Sequence, residues 1–95
     1  MAMFDQAKML MKMKKAQKEL ANEIIEVEAG DGAVVVSITG EQKIKGIKID
    51  PEQVDLDDIE ELERWVESAV KEAIAKSQEI AAEKMKPLMG GLGLG

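Results

Sequence analysis

From Ala2 to Asn22 the chain contains no glycine, no proline and no β-branched residue. Alanine, lysine, methionine, glutamine and glutamate dominate, and such side chains keep most of their rotamer freedom in a helix. A stretch with that content has one good local solution, an α-helix of about six turns. Its seam runs at alternating three- and four-residue steps through Met3, Gln6, Leu10, Met13, Gln17, Leu20 and Ile24, a short coiled-coil pattern. Leu10, Met13 and Leu20 are therefore candidate interface residues. Ile25-Glu26-Val27-Glu28-Ala29 already alternates as a strand does, with successive side chains on opposite faces. The change of state is expected between Asn22 and Ile25.

The middle of the chain reads as a small antiparallel sheet. Gly30-Asp31-Gly32 supplies residues that tolerate positive φ in a tight turn. Ala33 to Thr39 follows as a strand, with Val34, Val36 and Ile38 on one face and Val35, Ser37 and Thr39 on the other. Gly40-Glu41-Gln42 turns the chain again. The third strand, Lys43 to Asp50, slips in phase between Ile44 and Ile47, and Gly46 at the slip marks a β-bulge. Asp50-Pro51 ends it, because proline holds its predecessor extended and cannot donate to the ladder.

A second helix follows, with Asp55, Asp57 or Asp58 as its cap. Its stripe of Ile59, Leu62, Val66, Val70, Ala73, Ser77 and Ile80 persists to about Met85. Leu62 and Val66, with Trp65 beside them, join the candidate interface. Pro87 is expected to stop the helix, so residues 87–95, rich in glycine, read as a flexible tail behind one domain over residues 1–86. The fold class is α+β in the order αβββα. A 95-residue monomer buries only about 60–65% of its unfolded surface. Two long apolar stripes on so short a chain therefore predict a homodimer.

The first helix also carries the candidate binding surface. Lys8, Lys12, Lys14, Lys15 and Lys18 face one acid, Asp5, within the first eighteen residues of a chain whose net charge is -6. At 100° per residue the five lysines fall in an arc of roughly 160°, opposite the seam. Such a row of ammonium groups suits a phosphate backbone, and a solvated helix face is the plain alternative. Met11 and Phe4 project among these lysines and are expected to pack on a second subunit or on the second helix.

Other chemistry finds little material. The chain has no cysteine and no histidine, which removes thiolate nucleophiles, disulfides and the usual zinc ligands. A general base would have to be a carboxylate, and each has a simpler role in a cap or a solvated face. The expectation is no enzyme activity, no cofactor, no metal and no small-molecule substrate. Asp55, Asp57, Asp58, Glu60 and Glu61 lack the glycine and the spaced oxygens of a calcium loop. No phosphate-cradling glycine motif appears. No uncharged stretch is longer than nine residues, the length of Pro87–Gly95, far short of the roughly 20 apolar residues of a membrane span. A cytoplasmic location is expected, without a membrane partner.

Particular residues within this order of elements resemble the YbaB/EbfC family of bacterial nucleoid-associated proteins. They are the Met-, Lys- and Gln-rich run Met9–Leu20, Gly32 with Val34 and Val36, Gly40, Ile44, Ile47 and the triplet Ile49-Asp50-Pro51. In the second helix they are Glu61-Leu62-Glu63, Ala69-Val70, Glu72-Ala73 and Glu83-Lys84-Met85, followed by the glycine-rich end. The resemblance implies an intertwined homodimer with projecting helices that binds double-stranded DNA at the nucleoid and alters its conformation or compaction. The chain's one arginine, Arg64, and one asparagine, Asn22, leave little for direct base readout, so weak sequence preference is expected. Against this stands the acidic second half, where Glu52 to Glu63 holds seven acids and no base. A prefoldin-like co-chaperone or a helical protein–protein adaptor is the rival on the same elements. Salt separates them, because phosphate binding weakens steeply as salt rises and apolar client binding does not.

Overall fold

The computed structural model describes residues 2–91, with side chains from 5 to 88. The order is α1 (Ala2–Asn22), β1 (Ile24–Ala29), β2 (Val34–Thr39), β3 (Ile44–Ile49) and α2 (Ile59–Gly91). The three strands form one antiparallel sheet in the order β1-β2-β3, so the αβββα reading holds. Gly30, Asp31 and Gly32 all take positive φ in the first turn. In β3, Gly46 pairs with Ser37 and Ile44 with Ile38. Lys45 is thus the extra residue, and the bulge lies at the expected slip.

One face of the sheet makes the core. Ile25 and Val27 of β1 and Val34, Val36 and Ile38 of β2 are buried beneath Ala69 and Ala73 of α2. The small side chains at 69, 73 and 77 let the helix axis approach the strands closely. Buried Ser77 donates its hydroxyl hydrogen bond to the Thr39 carbonyl at 2.8 Å, which satisfies a polar group that would otherwise be costly there. Leu62, Trp65, Val66, Val70 and Ile80 pack around this centre. α2 covers β1 and β2 and leaves β3 bare. Ile44, Ile47 and Ile49 share the core face by register with Ile38, Val36 and Val34, yet remain 43–45% exposed.

α2 starts at Asp58, whose carboxylate accepts from the Glu61 N–H at 3.2 Å, as an N-cap does. Its end differs from expectation. The helix does not stop at Pro87 but continues through it to Gly91. Proline removes one helical hydrogen bond and crowds the preceding turn. Half-buried Leu88 and exposed Pro87 line, with Lys12, Lys15 and Ala16 of α1, the groove between the two helices. Local propensity places a stop at Pro87, and the structure carries the helix four residues further. Residues 92–95 of the expected tail lie outside the described residues.

The two helices pair antiparallel beyond the sheet. Ser77 sits at the Thr39 end of β2, so the fourteen residues from 78 to 91 run about 20 Å past it. α1 returns along them. The molecule measures 66 × 22 × 15 Å with a radius of gyration of 18.2 Å, against about 12 Å for a compact chain of this length. It is a sheet with a long two-helix arm.

Gly40 fixes the base of that arm. Its N–H donates to the Leu20 carbonyl at 2.9 Å, which also accepts from the Glu23 N–H at 3.2 Å, and to the Glu23 carbonyl at 3.1 Å, so the turn caps the end of α1. A Cβ at residue 40 would stand 2.8 Å from Leu20 Cδ2 and 2.9 Å from the Leu20 carbonyl oxygen. Since the second obstacle is backbone, Gly40→Ala is expected to destabilise the fold by about 1–3 kcal/mol. The melting temperature should fall by roughly 5–20 °C, and a circular-dichroism melt checks this. An unchanged midpoint would mean that α1 is not seated on this turn.

Candidate nucleic-acid interface

The face of α1 that packs within the chain is rotated from the expected seam. Ala16 and Leu20 are buried and Met9 and Met13 half-buried, whereas Gln6, Leu10 and Gln17 are exposed, Leu10 at 57%. Ile24 belongs to β1 and is 54% exposed. At 100° per residue the rotation is about 60°. The reason is alanine, which admits α2 closely although it contributes little to an apolar stripe read from large side chains. Of the six candidate interface residues, Leu20 is buried on Gly40, while Leu62, Trp65 and Val66 pack around the chain's own core. Trp65 lies over Gly30, where a Cβ would come within 2.5–2.8 Å of the indole ring. Met13 is half-buried, and Leu10 alone of the six is open. Met11 is 71% exposed, so within the chain it does not pack on the second helix. The side chains of Met3 and Phe4 lie outside the described residues.

The lysines keep their expected placement on the solvent side. Lys8, Lys12, Lys14, Lys15 and Lys18 are all exposed, and among the described residues none is in an ion pair. Those in the middle of α2 differ. Lys71 pairs with Glu67 at 3.4 Å and Lys76 with Glu72 at 3.9 Å, the i,i+4 arrangement of a solvated helix face. Lys12 borders the packed face and, with Lys15, edges the groove between α1 and α2.

That groove contains residues outside the sequence-derived set. Lys84 of α2 reaches across to Glu19 of α1 in a close ion pair, the only pair between elements among the described residues. The hydrogen bond from Lys84, its charge and, more weakly, that of Lys15 hold the Glu19 carboxyl below its ordinary range. The same hydrogen bond raises Lys84. No spacing in the sequence announces this contact, because residues 19 and 84 meet only through the antiparallel register of the arm.

The charge is segregated along the molecule. The arm, α1 with residues 78–91, holds seven lysines and four acids, a net charge of +3; all other residues hold six bases and fifteen acids, a net charge of -9. The acidic start of α2, Glu60 to Glu67, lies about 30 Å along the helix from Lys84, several times the Debye length of about 8 Å at physiological salt. In the preceding loop the Asp55 carboxylate accepts from the Asp57 N–H at 2.9 Å, and that of Asp50 from the Glu52 N–H and Gln53 Nε2, each at 3.0 Å. Those bonds, first from Gln53 and then from Glu52, hold Asp50 below the usual carboxylate range. These acids serve the turns that carry the chain from β3 to α2. No helix among the described residues is long and apolar enough to cross a membrane.

The sequence matches the YbaB/EbfC DNA-binding family over residues 1–92. It is 48% identical to a nucleoid-associated protein of Ruminiclostridium cellulolyticum, over 90% of this chain and 75% of that one. A nucleoid-associated protein of Chloroflexus aurantiacus is 45% identical over 84% of this chain and 80% of its own. One from Rhodococcus erythropolis is 45% identical over 84% and 71%. The fold is similar to the crystal structure of an uncharacterized Helicobacter pylori protein, with a TM-score of 0.75, 20% identity and 82% of each chain covered.

Proposed function

This chain belongs to the YbaB/EbfC DNA-binding family, and from that premise we propose that it is a nucleoid-associated protein that grips double-stranded DNA as a homodimer, through backbone phosphates. The observation that carries the reading is the segregation of charge, with an arm of +3 on a body of -9. A sequence pI near 4.7 speaks against nucleic acid only if the charges act as a sum. Screening at about 8 Å lets the arm lysines meet phosphate while the distant carboxylates are damped. The body's repulsion keeps the duplex on the arms, where its path can be altered. Binding of this kind needs no catalytic group and no cofactor, and it belongs at the nucleoid in the cytoplasm.

The second copy belongs on the bare face of β3. Ile44, Ile47 and Ile49 continue the buried face of β2 but have no helix above them among the described residues, and Leu56 and Ile59 nearby in the chain are 80% and 47% exposed. A second copy brings the same strip, self-complementary about a two-fold axis. It doubles the basic arms, giving ten α1 ammonium groups per dimer.

Duplex binding measured from low to moderate salt tests the reading. If about half of those groups reach phosphate, the log–log slope should be near -4.5, from roughly -0.9 per contact. Affinities for unrelated duplexes of equal length should agree within about tenfold, well below the usual margin of specific sites. No binding at low salt, or binding indifferent to salt, overturns it.

A further inference from the structure

We propose that Glu19 is a built-in competitor for DNA phosphate at Lys84, so that the groove between α1 and α2 becomes a phosphate site when this ion pair exchanges for a phosphodiester. The inference rests on the duplex-binding reading above and adds a site to it. Among the described residues Lys84 is the one lysine of the arm in an ion pair, and its partner comes from the other helix. Lys12 and Lys15 stand on the same groove, so an anion there would meet three ammonium groups and one carboxylate. Both partners are substantially exposed, 35% for Lys84 and 44% for Glu19, so the exchange needs no opening of the core. Exposed pairs contribute little to stability, and α1 is held elsewhere, by Leu20 on Gly40. The lowered Glu19 carboxyl fits a group that stays ionised and competes at neutral pH.

Glu19→Gln keeps the size of the side chain and removes the competitor. In duplex binding it should steepen the log–log salt slope by about one for each protomer and tighten affinity about five- to tenfold per freed contact at 0.1 M salt. Glu83→Gln makes the same charge change on the arm at a residue in no ion pair among the described residues, and should move the slope little. Lys84→Gln should weaken binding, and adding Lys84→Gln to Glu19→Gln should cancel the gain. Thermal melting of each variant shows that the arm is intact. Equal effects of Glu19→Gln and Glu83→Gln, or a gain that survives removal of Lys84, would reduce Glu19 to a background charge and overturn the exchange. Weaker binding by a stably folded Glu19→Gln would do the same. Wild-type protein that fails to bind duplex at low salt would sink the nucleic-acid reading itself, before the variants are compared.

Discussion

Replacing Lys8, Lys12 and Lys15 together by glutamine should cost most of the DNA affinity while leaving the fold unchanged. The three lie at i, i+4 and i+7 on one stripe of α1, exposed and in no ion pair among the described residues. If they supply about three of five phosphate contacts per dimer, the slope should flatten from about -4.5 to about -1.8. Affinity at 0.1 M salt should then fall roughly 10²- to 10³-fold, alike for all sequences. Glutamine keeps much of lysine's helix propensity, so circular dichroism and dimer mass serve as controls. Wild-type affinity and slope in this variant would move the search to Lys43, Lys45 and Lys48 around β3. Those lysines are a poorer start, since the chain runs from them directly into the acids from Asp50 to Glu63. Silence there as well would favour the co-chaperone reading.

Ile47→Glu should convert the dimer to a folded monomer. Ile47 lies in the middle of β3, opposite buried Val36, and is 45% exposed in the isolated chain. An unpaired carboxylate buried at an apolar interface costs several kcal/mol, and two-fold symmetry places two of them there. Sedimentation at micromolar concentration should give the monomer mass with helical circular dichroism retained. Leu20→Glu should behave differently, because Leu20 is 5% exposed within its own chain, and charge there should unfold the base of the arm. A wild-type protein that sediments as a monomer, or an Ile47→Glu variant that stays dimeric, removes β3 as the seat of the second copy.

The contrast between Ile47 and Leu20 shows where the sequence could be read and where it could not. Both are large apolar residues on regular elements, and periodicity places each on the correct face of its own element. Periodicity does not say whether the covering partner is the same chain or another copy. For Leu20 the partner is Gly40, a contact between residues twenty apart. For Ile47 the expected cover is missing, because α2 lies over β1 and β2 alone. The exposed placement of the α1 lysines was legible for the opposite reason. A row of exposed ammonium groups depends mainly on the helix that displays it.

The sequence by itself determined the kind and order of the elements, the turn at Gly30–Gly32, the bulge beside Gly46 and the lysine row on α1. Each follows from backbone preference and short-range period, which act over a few residues. The tertiary structure alone decided which stripe of α1 is covered, that α2 continues through Pro87, that β3 is left bare, and that Glu19 meets Lys84. These depend on how closely the helices approach each other and the sheet, and small residues such as Ala16, Ala69, Ala73 and Gly40 set those distances. Their weight in packing comes from what they lack, and a pattern of large apolar side chains does not register it.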